Sequence, residues 1–398
     1  MTQHSDSDKP RPMTPGLWFL LFGILLVTFN LRGAITGVGP VLIDIQGRFG
    51  VSSALAGFLT TLPLFAFAFI SPLASPLARR TGMERAILIA MLLLIVGLCV
   101  RMLTTVTALY LGMAIIGIGV AIGNVVVPGL VRRDFPQRLT LVTALFTMAM
   151  VASGGLGSGI TVPLAQRFGW PGALFVWVLP AILGLLVWLP QVKAKTKPAA
   201  AGHLTSGSVW RSPIAWHVSL FMGFQSTGFY VYIAWFPSIM AARGVDAATS
   251  GWQLFVFQIL ILTASMLVPM AIHRMRDQAW IGFACGLCLS IGYIGILLAP
   301  DWVLLWLCIA GLGSGGSLVL ALTMFGLRAS SPQQTVALSG MAQSVGYFMA
   351  AVVPIILGVI HDWTHTWTLP LVFMIGNSTL QMVFGWLAGR PLKIGGAA

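Results

Sequence analysis

The stretch PQVKAKTKPAAAGHLTSGSVWRSP, residues 190–213, is the longest polar break in a chain of 398 residues. Its lysines, prolines, serines and glycines are typical of a linker and too polar to enter a bilayer. Apolar runs of about 20 residues, the length that crosses a bilayer as a helix, lie on both sides of it. The stretch therefore predicts a linker between two halves, each with six membrane-spanning helices.

The composition independently predicts a membrane protein. Hydrophobic residues make up 58% of the chain and charged residues only 8%, which is too few to cover a water-facing surface. In lipid, only helices and closed barrels satisfy every backbone hydrogen bond, and long apolar runs exclude the barrel. We therefore expect an all-α polytopic membrane protein whose 12 transmembrane helices form two six-helix pseudo-repeats. The predicted spans are 16–40, 52–74, 84–104, 107–130, 139–162, 171–190, 213–238, 248–272, 279–299, 302–326, 335–360 and 368–388.

The distribution of charge predicts the orientation. Most of the 22 basic residues fall in the loops and tails on the same side of the membrane as the N-terminus. Because cytoplasmic loops are enriched in Lys and Arg, both termini are predicted to be cytoplasmic. The loops thus explain the net charge of +13, and the predicted partner is the lipid bilayer rather than a nucleic acid. The expected organisation is a cytoplasmic tail, an N-terminal bundle, a cytoplasmic linker, a C-terminal bundle and a second tail, at residues 1–15, 16–190, 191–212, 213–390 and 391–398.

The two halves also resemble each other in sequence. GVSSALAGFLTTLPLF, residues 50–65, aligns with GVDAATSGWQLFVFQI, residues 244–259. The same spacing places Gly117 on Gly311 and Gly119 on Gly313. Parallel six-helix repeats joined by an inner linker are typical of secondary transporters, whose substrate site lies at mid-membrane between the halves.

The loop SPLARRTGMER, residues 75–85, resembles the signature cytoplasmic loop of the major facilitator superfamily. Arg80, Gly82 and Arg85 match that motif, whereas Arg79 stands where an acidic residue is usual and Glu84 where a basic one is usual. The resemblance implies that Arg79, Arg80, Gly82 and Arg85 act in gating with altered pairing. The alternative is that this segment is only a positively charged inner loop.

Two further segments narrow the resemblance to one branch of the superfamily. NLRGAITGVGPVLIDI, residues 30–45, and GIGVAIGNVVVPGLVRRDFP, residues 117–136, are similar to the cyanate and 2-nitroimidazole transporter family. The resemblance implies a monomeric transporter of the bacterial inner membrane that moves a small polar, aromatic or anionic molecule without a cofactor. Export of 2-nitroimidazole is the expected activity. Uptake of cyanate and a non-transporting membrane sensor are the alternatives, and an enzyme is not expected.

Arg32 is the one ionised residue that the sequence places well inside a span. It lies about 21 Å along the helix from Trp18, at a rise of 1.5 Å per residue. Burying an arginine costs roughly 2.5–3.5 kcal/mol, so a function is expected for it. A planar guanidinium suits bidentate binding of a nitro group or an anion. The alternative is a structural arginine that binds helix-end carbonyls or Asp44. Asp44 is also a candidate gating residue.

Other strongly polar side chains fall within predicted spans of both halves. Each could line a substrate cavity, or could form only interhelical hydrogen bonds. Besides Arg32, the candidate substrate-binding residues are Asn30, Asn124, Gln225, Tyr230, Gln258, Gln343 and Tyr347.

Acidic residues, in contrast, are missing from the span cores. All nine lie at or beyond the ends of the predicted helices. Proton-coupled carriers usually need a carboxylate or histidine inside the membrane. The sequence therefore favours facilitated diffusion, a substrate that brings its own proton, or an acid at the edge such as Asp44.

Overall fold

The computed structural model describes residues 13–51, 53–103, 105–193, 207–275 and 277–395, and the described part is helical with no strand. Most of the predicted tails and linker lie outside these ranges. The first half contains α1 to α7, at Pro15–Thr36, Leu42–Phe49, Ser53–Thr81, Met83–Arg101, Val106–Asp134, Leu139–Phe175 and Val178–Trp188. After the short α8, the second half contains α9 to α14. In chain order, α8 to α14 are Gly207–Trp210, Pro213–Ala241, Ala247–Arg274, Ala279–Leu298, Val303–Arg328, Pro332–Thr364 and Thr368–Gly389.

Among the described residues, 11 segments are long and apolar enough to cross a membrane. The helix α9 is not one of them, although it is 29 residues long. Its middle contains Gln225, Ser226 and Thr227, which lower its hydropathy, but all three are buried against protein. The polar run therefore faces inward, and α9 completes the set of twelve predicted spanning helices.

One helix boundary depends on a glycine. The element α6 continues through the predicted fifth span into the start of the sixth, but its backbone breaks at Gly169. Gly169 has φ 69° and ψ 164°, a conformation that residues with a Cβ atom rarely adopt. The chain therefore turns between the fifth and sixth spans at this residue.

The repeat predicted from sequence recurs in the packing of the helices. Gly117 of α5 packs against Pro63 of α3. The aligned Gly311 of α12 packs against Phe257 of α10, which is the residue aligned with Pro63. Small residues at these positions let two helix backbones approach closely. The two halves therefore build equivalent helix contacts from equivalent residues.

The halves join mainly at one end, which we call the linker end because α7 ends and α9 begins there. Contacts between the halves run from α3 and α5 to α13 and from α6 to α10. One hydrophobic core includes the first half and the linker-end part of the second half. The opposite end of the second half has its own core, which includes Phe236, Phe257 and Leu371. The bundle is therefore closed at the linker end and divided at the opposite end.

Candidate functional site

Arg32 lies between the two halves, four residues before α1 ends. Its aliphatic stem packs on Gly154 of α6, and its Cζ atom lies 4.9 Å from the ring centre of Phe229 on α9. The side chain is half-buried. Throughout the described ranges, no residue forms a hydrogen bond or ion pair with the guanidinium. Its N–H groups are therefore free of protein partners among these residues, and its charged end lies against an aromatic ring of the other half.

Aromatic side chains from three helices surround this arginine. Tyr347 of α13 lies 4.7 Å from Phe67 of α3 and 6.4 Å from Tyr230 of α9, measured between ring centres. Tyr230 also contacts Phe229, the ring that lies against Arg32, with ring centres 5.2 Å apart. In the part of the chain that is described, neither tyrosine hydroxyl has a hydrogen-bond partner. These residues make a candidate site with one cation, two free phenols and walls from both halves.

Asp44, expected as a possible partner of Arg32, does not fill that role. It lies exposed on α2 and forms no ion pair with Arg32. A carboxylate on this short surface helix remains hydrated, whereas pairing would require it to enter the bundle. The contact of Arg32 seen in the structure is thus a ring, not an acid.

The expectation that Arg32 would be the one buried charge is wrong. Arg101 is the last residue of α4 and is only 2% exposed. Its Nη1 donates to the carbonyl of Ala34 at 2.8 Å, and its Nη2 donates to the carbonyl of Leu174 at 2.9 Å. Arg101 therefore has the structural role that the sequence left open for Arg32, since it binds one carbonyl near the end of α1 and one near the end of α6.

A second buried arginine links helix ends within the second half. Arg328, at the end of α12, donates to the carbonyls of Ala388 and Gly389 and to the side chain of Gln278. These contacts tie α12 to the end of α14 and the start of α11. Both arginines satisfy backbone groups that a helix end leaves without a partner.

The contact between α1 and α6 that positions Arg32 depends on glycines. Thr36 donates to the carbonyl of Gly154 at 2.9 Å. A Cβ atom at Gly157 would lie 2.5 Å from the Thr36 hydroxyl and 2.6 Å from the carbonyl oxygen of Gly33. The two backbones therefore touch beside Arg32 only because these positions lack side chains.

We expect Gly157→Ala to lower the free energy of unfolding by about 1–3 kcal/mol, because the methyl group must push the two helices apart. Gly155→Ala is the matched control, since a Cβ atom there meets nothing within 4 Å. Thermal unfolding in detergent measures both. Equal melting temperatures for the two variants would contradict this account of the α1–α6 contact.

Gln343 joins the halves through a carbonyl that a proline has freed. Its Nε2 donates to the backbone oxygen of Asn124 at 2.9 Å and to Ser339 at 2.8 Å. Pro128, four residues after Asn124, has no N–H to bind that oxygen within α5. Of the two roles that the sequence leaves open for Gln343, the structure shows the interhelical hydrogen bond, which bridges α13 and α5. Asn124 takes part through its backbone oxygen.

Ser344, the next residue of α13, makes the same kind of hydrogen bond to α3. The Ser344 hydroxyl donates to the carbonyl of Ala68 at 2.5 Å. Pro72 stands four residues after Ala68 in α3, so it too removes the helical donor. Two adjacent residues of α13 thus bind two carbonyls of the first half. The prolines were visible in the sequence, but their partners were not.

We expect the double change Gln343→Leu and Ser344→Ala to favour separation of the linker ends by about 1 kcal/mol, from roughly 0.6 kcal/mol per interhelical bond in membranes. Spin labels at the exposed Arg80 and Arg274, on α3 and α10, would report this as a larger population of long distances. Thr379→Val is the control, since its exposed hydroxyl bonds only within α14. An unchanged distance distribution would show that these bonds do not hold the halves together.

The amides of Asn30 and Gln225 are occupied by neighbours. Asn30 donates to the carbonyls of Leu26 and Pro180 at 2.8 and 2.9 Å, which ties α1 to α7. Gln225 donates to Ser226 at 2.8 Å and is 2% exposed. Asn30 thereby links two helices of the first half, and the amide nitrogen of Gln225 bonds within α9, while their role in binding substrate stays a prediction. Gln258 of α10 is half-buried and has no hydrogen-bond partner in the described segments, so it remains a candidate.

The signature loop forms the turn between α3 and α4. Gly82 adopts φ 90°, a conformation that favours glycine, which explains the residue at this position. Arg79, Arg80 and Arg85 are exposed at the linker end. The gating role predicted for them remains a proposal.

The ion pair of this region joins buried Glu84, which the sequence marks only as a departure from the motif, to half-buried Arg133, which the sequence does not single out. Glu84 is 6% exposed, and its Oε1 lies 2.8 Å from Nη1 of Arg133 on α5. Arg133 also pairs with Asp134 at 2.8 Å. Two features of the sequence could have indicated this ion pair: the departure of Glu84 from the signature motif, and the basic pair Arg132 and Arg133 in the last turn of α5. The pair joins α4 to α5 within the first half.

Residues 20–354 match the sequence profile of the Major Facilitator Superfamily. The chain belongs to the major facilitator superfamily. A solved structure of the facilitator FucP in its outward conformation has the same fold, with a TM-score of 0.72 at 15% identity over 93% of this chain and 98% of that one. The predicted fold class is confirmed.

Three relatives resemble this facilitator over nearly its whole length. The uncharacterized transporter YycB of Bacillus subtilis (strain 168) is 42% identical over 95% of both chains. The 2-nitroimidazole transporter of Escherichia coli (strain K12) is 41% identical over 94% of this chain and 96% of its own. The cyanate transport protein CynX of the same species is 29% identical over 92% and 97%. The branch predicted from two sequence segments is thereby confirmed, and the chain is a secondary transporter embedded in a membrane.

Proposed function

We propose that this facilitator moves a small, planar, electron-rich molecule of the 2-nitroimidazole kind across the bacterial inner membrane by alternating access. The observation that carries the proposal is the guanidinium of Arg32, which lies between the halves against Phe229. The ring of Phe229 contacts Tyr230, and Tyr347 lies next to Tyr230. The 41% identity to a 2-nitroimidazole transporter supports the same substrate class.

The chemistry of the site fits such a substrate. A nitro group offers two coplanar oxygens, which match two parallel N–H donors of a guanidinium. The imidazole ring can stack on the aromatic walls, where offset contacts add about 0.5–1.5 kcal/mol each. No carboxylate of the described residues binds the guanidinium of Arg32, so its N–H donors are available to the oxygens of a nitro group.

For direction, we propose export, with both tails in the cytoplasm and the protein acting as a monomer. In that orientation the linker end is cytoplasmic, and the arrangement described above is closed to the cytoplasm. The exposed arginines of the signature loop would then lie where the halves separate in the opposite state. Gating by Arg79, Arg80, Gly82 and Arg85 belongs to this proposal.

A second candidate is uptake of cyanate or another small anion. The relationship to CynX and the lone cation of the site favour it. Cyanate is linear and would engage Arg32 at one end only, leaving the aromatic walls without a partner. A non-transporting membrane sensor is the alternative of a different class.

Transport into proteoliposomes tests these proposals. Purified protein in liposomes is mixed with labelled 2-nitroimidazole or labelled cyanate, with and without an imposed pH gradient. Protein-dependent movement of 2-nitroimidazole in preference to cyanate is expected. Preferential movement of cyanate would favour the second candidate, and binding without movement of either would favour the sensor. Protein inserted in a known orientation reports the direction.

A further inference from the structure

Phe229 is a candidate for a further role because its ring lies against the guanidinium that the proposed substrate needs. Arg32 belongs to the first half and Phe229 to the second, and their contact of 4.9 Å crosses the division between them. Phe229 was not among the residues predicted to form the site. The structure nevertheless shows its ring in contact with the charged end of Arg32.

The ring of Phe229 is held by its own half. It meets Tyr230 edge to face, with ring centres 5.2 Å apart and planes at 84°. It also packs against the separate core at the opposite end of the second half. The aliphatic stem of Arg32 is fixed on the other side by Gly154. Arg32 is therefore contacted by both halves, along its stem by α6 and at its charged end by α9.

We propose that Phe229 is a positioning residue that selects flat, two-oxygen groups such as nitro or carboxylate over linear anions. A cation over an aromatic face is attracted by the ring quadrupole, and this contact leaves the in-plane N–H donors uncovered. Those donors bind two coplanar oxygens only when the plane is correctly oriented. The inference deepens the proposed function and rests on it.

A linear anion depends less on this orientation. It accepts hydrogen bonds at one terminal atom, which a rotated guanidinium can still reach. Loss of the Phe229 ring should therefore weaken binding of a nitro compound more than binding of cyanate. A purely structural role for Phe229 would weaken both alike.

Binding of 2-nitroimidazole and of cyanate to the purified full-length protein, measured by calorimetry, tests the proposal. Phe229→Leu keeps an apolar side chain of similar size without the quadrupole. We expect it to weaken 2-nitroimidazole binding by about 3- to 30-fold. Cyanate binding should change by less than about twofold, and Phe229→Trp should restore the nitro affinity because indole is the strongest cation–π partner.

Phe224→Leu is the matched control. Phe224 is also half-buried on α9, but it stacks on Phe384 of α14, with ring centres 5.6 Å apart. This variant should leave both affinities unchanged. An equal loss in Phe224→Leu and Phe229→Leu, or an equal loss for the two ligands, would overturn the positioning role.

A double-mutant cycle separates this inference from the proposed function. Melting temperatures of Arg32→Met, Phe229→Leu and the double variant need no ligand. Non-additive effects are expected, because the two residues touch. If the wild type binds neither ligand, the proposed function fails. In that case additive effects in the cycle would overturn the Phe229 contact as well, whereas coupling would retain it.

Discussion

Replacing Arg32 with glutamine is expected to lower substrate affinity by at least about tenfold, because a hydrogen bond to a charged group contributes about 1.5–3 kcal/mol. Glutamine keeps polarity but loses the charge and the fork of donors. Arg32→Lys keeps the charge alone, so it should recover only part of the loss if two coplanar oxygens are bound. Equilibrium binding of 2-nitroimidazole to purified protein measures all three forms.

Arg48→Gln is the control for this experiment. Arg48 lies on α2 near the same end of the bundle, and its side chain is exposed. Removing its charge changes the net charge of the protein equally but leaves the site intact. Wild-type affinity in a well-folded Arg32→Gln protein would remove Arg32 from the site, and the proposed function would lose its main support.

Replacing Arg101 with methionine is expected to cost about 3–5 kcal/mol of stability. Methionine fills a similar space but donates no hydrogen bond. The carbonyls of Ala34 and Leu174 would then lose their charged donor in a buried environment. Each buried carbonyl left unpaired costs about 1–3 kcal/mol. A sharp fall in the melting temperature or in the yield of folded protein is the expected result.

Two comparisons distinguish this effect from that of Arg32. Arg167→Met should leave the melting temperature unchanged, since Arg167 is exposed at the same end of the bundle. The fraction of Arg101→Met protein that folds should bind 2-nitroimidazole with nearly normal affinity. A stable Arg101→Met protein would mean that the two carbonyls find other donors, and that Arg101 does not hold the end of α1.

The architecture follows from local features of the chain. The apolar length of each run fixes the spans, and the polar linker divides them. The aligned glycines Gly117 and Gly311 fix equivalent helix contacts, because only small residues allow backbones so close. Hydropathy misjudges one helix, α9, because Gln225 and its neighbours are polar yet buried. Whether a polar side chain faces lipid or protein depends on neighbours that the helix itself does not specify.

The site was predicted only in part. Tyr230 and Tyr347 lie next to each other, and Phe229 connects Tyr230 to Arg32; that these residues bind substrate stays a prediction. Asn30 and Gln343 do not join them, because amides in a bundle bond to whichever backbone group is free nearby. Phe229 could not be found from the sequence, since a phenylalanine in an apolar helix carries no signal of the cation it covers.

By itself, the sequence determined that the chain is a two-half membrane bundle of the facilitator type with an arginine at depth. Those features depend on length, hydrophobicity and repeated spacing, which are properties of short segments. Only the tertiary structure decided which arginine closes a helix end and which one stays free. Arg32 and Arg101 are the same residue type near the same end of the bundle. Packing alone places two backbone carbonyls beside Arg101 and an aromatic ring beside Arg32.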